Sequence, residues 1–480
     1  MKYRVTENMS QEITIQSDIA GNSVDADNAA IRRLLNIADR RADDADGIRQ
    51  KVFLILRNQE VANVLKRIPL SDDIADKVEL YAYTTEDLWS MEMLGIRPES
   101  NMRLDREQIS IDSRQFVHLV LFGMSRQTQS LAIHAALTSH YPNYCRDNSL
   151  RTRISIVADS HEQFRHFQQY YRNLLMNSYR RTVTIKGEDV QTVTLEPKYK
   201  SQRKDFVDVE WEFICGKSDD DVLTYKLHKW AQDPTRQLTV AFCYDDEARN
   251  TNEALNLSPQ IRDIPIWINV KDGVAVGFIN QSELYSNVVP FGNTDAQLPD
   301  MSAFVKMGQC VNYAYNKMRQ TTEDEQQKGM VPMAVATEIP SQDELQALWN
   351  NSRLNTAKRW SNIYSAFTLR TKMHSLGHKP DQWHTLFAMS EKEIETLSEV
   401  EHNRWSVEEL ILGYRPTTPE EHAEIQKDIS LRKELKDRFI HDDLRNFSEL
   451  GVDETGKSVK RYDEAFTRSL PLVAYIFNLI

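Results

Sequence analysis

FVHLVLFGMSRQTQSLAIHAALT, the stretch Phe116–Thr138, decides the reading of the fold. Phe116–Phe122 is apolar at nearly every position, which suits a strand buried in a sheet covered on both faces. Gly123 turns the chain, and an Ala/Leu-rich helix begins near Gln127. The same grammar continues downstream. Arg153–Val157 (RISIV) ends in Ala158-Asp159, a helical segment spans Glu162–Ser178, and apolar strands follow at Val209–Cys215 and Leu238–Tyr244. Strands alternating with helices predict a parallel sheet joined by right-handed crossovers. The polar stretch Thr182–Lys204 reads as an exposed hairpin or loop inserted in that series.

Upstream, a charged helical stretch (Ala30–Asp43) leads into the apolar run Lys51–Leu56 (KVFLIL), and a second strand follows at Val78–Tyr83. This half resembles a later one, since Ile264–Val270, Val274–Ile279 and Ser282-Glu283-Leu284-Tyr285-Ser286 repeat the order strand, short strand, then Thr85-Glu86-Asp87-Leu88-Trp89-Ser90. The first copy lacks an opening half. Three explanations stand: descent from a longer protein, strands supplied by a partner, or a half-domain docked as padding. Gln320–Asp343 is polar and without periodicity and reads as a linker. Beyond it Leu354, Ala357, Trp360, Ile363, Tyr364 and Phe367 share one helical face, and helices alternate with turns from Glu391 onward. The predicted organisation is therefore a partial α/β segment at 1–105, an α/β domain at 106–319, a linker at 320–345, a helical lead-in at 346–390 and an all-α domain at 391–480.

Composition narrows the function. The net charge of −12 opposes general nucleic-acid binding, which needs a basic footprint. Only 15 of 480 residues are glycine, so any nucleotide site must be built with few of them. Cys145, Cys215, Cys243 and Cys310 are scattered without metal-ligand spacing and read as reduced thiols, with Cys215 and Cys243 in the core. The final apolar run, Leu470–Ile480, is shorter than the roughly 20 residues of a membrane span, and Met1–Gln16 lacks the order of a signal peptide. The cytoplasm is the expected location. None of the patterns G-x-S-x-G, H-E-x-x-H or G-x-x-x-x-G-K-[ST] occurs, and no catalytic or metal-ligating set is predicted. Asp219-Asp220-Asp221 and Asp245-Asp246-Glu247 read as a solvated loop and a strand end, and His422 as solvent-facing.

Two places have the residue types of a binding site. In the turn Gly123-Met124-Ser125-Arg126-Gln127-Thr128, the N–H groups of the helix start can hold a phosphate. The dinucleotide pattern G-x-G-x-x-G keeps only Gly123; Ser125 and Thr128 stand at the other two glycine places and offer hydroxyls instead, beside Arg126. Asp159, at the second strand's end, is the acid for a ribose hydroxyl, though it lies about 36 residues after Gly123 where about 20 is usual. Either this crevice binds a nucleotide or the fold is kept for architecture. The second place is a helix on which Ile394, Leu397, Glu401, Arg404, Trp405, Glu408, Ile411 and Leu412 fall on one face at about 100° per residue. Charges on a core-facing stripe must be paired, so they form either an internal ion-pair cluster or the lining of a partly buried pocket.

The first place, with Phe116–Gln320 and the half copy at Ala30–Glu99, resembles the regulator-of-potassium-conductance family of Rossmann-like nucleotide-sensing domains. Glu401-His402-Asn403-Arg404-Trp405, then Gly413-Tyr414-Arg415-Pro416, His441-Asp442-Asp443-Leu444 and Tyr462-Asp463, resemble the ryanodine-receptor-type (RyR) repeat of bacterial proteins over Glu391–Phe477. The first resemblance implies sensing without catalysis. The second implies a helical ligand-binding module whose contacts fall on Glu401, Arg404, Trp405, Tyr414, Arg415, His441 and Asp443. Together they imply NAD or another nucleotide as ligand and an effector or membrane-protein partner; a homo-oligomer is compatible. The alternatives are an NAD(P)-dependent oxidoreductase and a regulatory subunit of a potassium channel or transporter.

Overall fold

The computed structural model describes residues 12–18, 23–40, 49–96, 103–199, 205–292, 298–327, 339–351, 354–379, 382 and 388–479, and it shows a mixed α/β protein with one large, mostly parallel sheet. The chain opens with a separate three-stranded parallel sheet in the order β1 (Glu12–Gln16), β2 (Gln50–Leu56), β3 (Val78–Thr84). Helices α1 (Ser23–Arg40) and α2 (Gln59–Arg67) make the two crossovers. The strand β1 was not expected. In Glu-Ile-Thr-Ile-Gln only Ile15 is buried, so the edge strand carries a weak apolar signal.

In the large sheet β4 (Phe116–Phe122) lies between β5 (Thr152–Ala158) and β9 (Arg236–Phe242). Beyond β5 come β8 (Val209–Cys215), β6 (Arg180–Lys186) and β7 (Asp189–Leu195); beyond β9 come β10 (Ile266–Asn269) and β11 (Val288–Phe291). The run β8-β5-β4-β9-β10-β11 is the order 3-2-1-4-5-6 of doubly wound sheets, whose ligands collect at the carboxyl ends of the strands where the order reverses. The expected hairpin is β6–β7, the only antiparallel pair of the sheet among the described residues, with β7 exposed throughout. Mid-strand His118 is fully buried and held by Ser155 at 2.7 Å and Arg236 at 2.7 Å.

Three local expectations are corrected. Val274–Ile279 is a helix, not a short strand, so the proposed repeat breaks there. Val274 and Phe278 are each about three-quarters exposed, and a strand in that place would lack a pairing partner. The linker reading of 320–345 fails at both ends. The helix Met301–Gln327 continues past Gln320, carried by a period set at Phe304, Val305, Val311, Ala314 and Met318. The helix Gln342–Trp349 begins at a capping box in which Ser341 accepts from the Glu344 N–H and Glu344 accepts from the Ser341 N–H at 2.8 Å. The intervening residues 328–338 lie outside the described residues. Finally, Cys215 is partly exposed, and the two buried cysteines are Cys243 and Cys310.

One apolar core runs through all parts of the chain. It joins Phe53, Tyr81 and Tyr83 of the small sheet, Leu119 and Leu131 of the large-sheet region, and Trp360, Val407 and Leu470 of the helical region. A polar lock reinforces the junction. Asp87, on α3 (Thr85–Met91), receives Lys66 at 2.8 Å and Gln59 at 3.0 Å from α2. It also receives Ser130 and His134, both at 3.1 Å, from α4 (Arg126–Thr138). Burial alone would raise the Asp87 pKa, but Lys66 and His134 hold it well below the usual carboxylate range. Among the described residues no helix is long and apolar enough to cross a membrane.

Candidate ligand-binding site

The structure brings Gly123, Ser125, Arg126, Thr128 and Asp159 to the carboxyl edge of the large sheet and engages them there internally. Gly123 has φ +93°, and a Cβ on it would meet Tyr244 Cδ1 and N at 2.9 Å, so Tyr244 packs directly on this turn. Ser125 caps α4 by accepting from the Thr128 N–H at 3.2 Å, and the Thr128 hydroxyl donates to the Cys243 carbonyl at 3.2 Å. Arg126 donates to the Arg57 carbonyl at 2.8 Å, across to the small sheet. Asp159 receives Arg249 at 3.2 and 3.3 Å, and Arg249 lies 3.7 Å over the Tyr244 ring. The two acidic runs prove to be helix N-caps: Asp220 accepts from the Val222 N–H, and Asp246 from those of Ala248 and Arg249.

The second place lies in the helical region, on Glu391–Ile411. A capping box at Ser390 and Glu393 starts this helix. Both sequence alternatives for its charged stripe hold, in different parts. Arg404, 1% exposed, donates to Glu401 at 2.8 Å and to Glu408 at 2.6 Å on its own helix. Lys372 adds a fourth ion, 2.5 Å from Glu401, and Ser365 and Ser361 donate to Glu401 and Glu408 at 3.0 Å. Burial raises the Glu401 pKa, but the Arg404 and Lys372 charges outweigh it and hold it below the ordinary glutamate value. Glu408 has fewer partners, and burial keeps its pKa raised. Glu401 and Arg404 are thus a closed scaffold whose ions satisfy one another.

Trp405 points off that scaffold into a cleft of about 730 Å³. Its ring stands 4.9 Å from His441 in an edge-on arrangement, and Tyr414 is 6.0 Å from His441, giving three adjacent rings. The chain places them together by a short parallel bridge, Arg415–Pro416 with Ile440–His441, within the otherwise helical region. His441 is buried, and burial drives its pKa well below the ordinary histidine value; Lys436 and Arg432 add to this. The Asp443 N–H donates to His441 Nδ1 at 3.2 Å, so the neutral ring carries its proton on Nε2. Asp443 is paired with Arg432.

Arg415 does not belong to this cleft. Its guanidinium turns away and closes on Glu421 at 2.7 and 2.8 Å. His422, expected in solvent, bonds Asp442 at 2.8 Å, and Asp442 also receives Arg445 at 2.6 Å and Thr417 at 3.0 Å.

Several lining residues escaped the sequence reading. Lys433 and Lys436, on the short helix Leu431–Asp437, line the cleft and make no ion pair among the described residues. Their signal was the basic run Arg432-Lys433-Glu434-Leu435-Lys436. Arg67 comes from α2, donates to the Leu412 carbonyl at the end of the helix Glu391–Ile411, and lies 4.7 Å over the Phe439 ring. No local signal could have announced it. Phe439 has φ +59°, the only positive φ outside glycine among the described residues. Glu409 receives a hydrogen bond from Trp405, and burial, aided by the Glu408 charge, pushes its pKa up to about 8. Its Oε2 is buried without a hydrogen-bond partner.

At neutral pH the cleft therefore presents unpaired cations beside an aromatic wall. Arg432 and Arg461 are neutralised by Asp443 and Asp453, whereas Glu409 is mainly protonated. This set can hold a phosphate or another anion by charge, and a planar group by stacking. Comparison with protein-family models, curated proteins and solved structures finds nothing that matches the chain.

Proposed function

We propose that the chain is a non-catalytic sensor of a nucleotide-like ligand, which binds in the cleft between the RyR-type helical region and α2 of the small sheet. One observation carries this reading: the aromatic wall of Trp405, His441 and Tyr414, its rings edge-on to one another, lines one cleft with Lys433 and Lys436, which make no ion pair among the described residues, and with Arg67. Aromatic face plus mobile cations is the combination that recognises a base and a phosphate together. The Rossmann-like sheet then serves as a frame rather than as the nucleotide site, because Ser125, Thr128 and Asp159 at its carboxyl edge are already engaged within the chain. In this reading the protein works in the cytoplasm and passes the bound state to an effector.

Signalling has a physical route. A ligand anion drawn to Lys433 and Lys436 competes for Arg67, whose side chain ties α2 to the end of the helix Glu391–Ile411. The experiment is thermal denaturation of the full chain with NAD, NADP, ATP, ADP-ribose and cyclic nucleotides in turn. At roughly a hundredfold excess over the dissociation constant a bound ligand adds about 2.7 kcal/mol. The expected result is a raised melting temperature with at least one compound, lost in the variant carrying K433A and K436A. A panel without any shift removes the proposal.

A further inference from the structure

The large sheet ends differently at its two edges. At one, β11 has only four residues and carries Pro290, a residue that guards edge strands because it has no N–H to offer. At the other, β7 has seven residues, all exposed, among them Val190, Val193 and Leu195. Its register with β6 runs unbroken through all seven pairs, so no bulge turns it aside. Proteins commonly protect such an edge with proline, with lysine or with a covering segment. The sequence of β7, Asp-Val-Gln-Thr-Val-Thr-Leu, holds neither residue. Among the described residues its outer edge makes no backbone hydrogen bond, which leaves a row of peptide groups that a further strand would pair.

The chain itself supplies a strand that fits. Laid antiparallel on its own copy with Thr192 opposite Thr192, β7 pairs at every residue; any other antiparallel register leaves residues of both strands unpaired. Val190 then faces Thr194, Gln191 faces Val193, and no like charges meet within the strands. The one charge in β7 is Asp189, which faces Leu195 of the second copy. Its row continues to that copy's Arg180, because Arg180 is the β6 partner of Leu195. Asp189 and Arg180 then lie on one face of the joined sheet, two strand spacings or roughly 10 Å apart. Neither makes an ion pair within its own chain among the described residues. Glu188, in the turn, and Glu196, past the end of the strand, fall outside the paired residues.

We infer that two copies of the chain join edge to edge through β7, antiparallel about a two-fold axis at Thr192, so that their large sheets become one. The axis repeats the Asp189–Arg180 match, and the acidic end of each hairpin strand lies towards the basic end of the other. A strand of unrelated sequence would fill the edge without that charge match. Pairing also stops at two copies, since a two-fold contact uses the same edge of both and leaves no further β7 open. None of the β7 residues lines the ligand cleft, so the interface stands or falls independently of the sensing function.

The test is analytical ultracentrifugation of the full chain as wild type, T192K, T192E and an equimolar mixture of the two variants. Thr192 is exposed, so either substitution fits a single copy, but in the pair two like charges then face each other at the axis. The inference expects a wild-type dimer in the micromolar range and a dissociation constant at least tenfold higher for T192K and for T192E. Mixing the two variants puts lysine opposite glutamate and should restore the dimer, a recovery that also shows both variants to be folded. A wild-type chain that stays monomeric across the micromolar range overturns the inference. A dimer that T192K and T192E leave unchanged overturns it too, since the contact then lies elsewhere. So does a mixture that associates no better than its separate components.

Discussion

Replacing Arg404 by methionine removes two charge-assisted hydrogen bonds, at 2.8 and 2.6 Å, from a site with 1% exposure. The loss is unequal between its partners. Glu401 keeps Lys372 at 2.5 Å and Ser365 at 3.0 Å, but Glu408 keeps only Ser361 at 3.0 Å. Breaking a buried pair by removing one member costs about 3–5 kcal/mol, and here nearly all of it falls on the orphaned Glu408. A second change, E408Q, removes that charge and is expected to recover about 1–3 kcal/mol. The pH dependence has a definite sign. Burial already raises Glu408 above its ordinary value of 4.5, and loss of Arg404 raises it further. The folded state then holds the proton more tightly than the unfolded one, so the penalty is small below the unfolded pKa and grows as pH rises towards the folded one. Urea unfolding of R404M, E408Q and the double variant at about pH 5 and about pH 8 reads all of this. The reasoning is refuted if R404M stays within about 1 kcal/mol of wild type at the higher pH, or if the double variant is no more stable than R404M. Loss of ligand binding in an Arg404 variant accordingly reports a disturbed scaffold before it reports a lost contact.

Gly123→Ala should destabilise the chain by about 1–3 kcal/mol, because a Cβ at φ +93° meets Tyr244 at 2.9 Å; an unchanged urea midpoint would mean that Tyr244 does not pack tightly on this turn. Glu409, with its pKa up to about 8 and bonded to Trp405, should give an intrinsic-fluorescence titration near pH 8 that is missing in E409Q. Its pKa is raised on folding, so through this group stability falls as pH climbs from the ordinary 4.5 towards 8, and E409Q should flatten that slope. Ser390→Ala removes the cap of the helix Glu391–Ile411 and should cost about 1 kcal/mol in chemical denaturation.

The large sheet was legible because its strands are buried on both faces and read as mostly apolar runs, as in β4, where only His118 interrupts the series. β1 was not, since an edge strand with one buried residue has no such run. Val274–Ile279 misled by composition: β-branched residues favour strands only where a neighbour is there to pair with them. In the site, Trp405 came from helical register, and Tyr414 and His441 from the resemblance to the RyR repeat, all within about 40 residues of sequence. The same periodicity put Arg404 and Trp405 on one stripe, although one closes an ion cluster and the other faces a cleft. Arg67 belongs to a contact 345 residues away in sequence, and no window over the chain contains both partners.

The small sheet's dependence on distant residues also sets a timetable for synthesis. Phe53, Tyr81 and Tyr83 leave the ribosome early, yet the indole of Trp349 that bonds the Tyr81 hydroxyl follows 268 residues later. At about 5–20 residues per second that interval is on the order of 15–50 s. Throughout it the nascent β2–β3 surface lacks the Trp349 indole, and the Trp360 ring that packs on Tyr81 and Tyr83 comes later still. The small sheet therefore reaches its full set of native contacts only after residues 82–349 have been made.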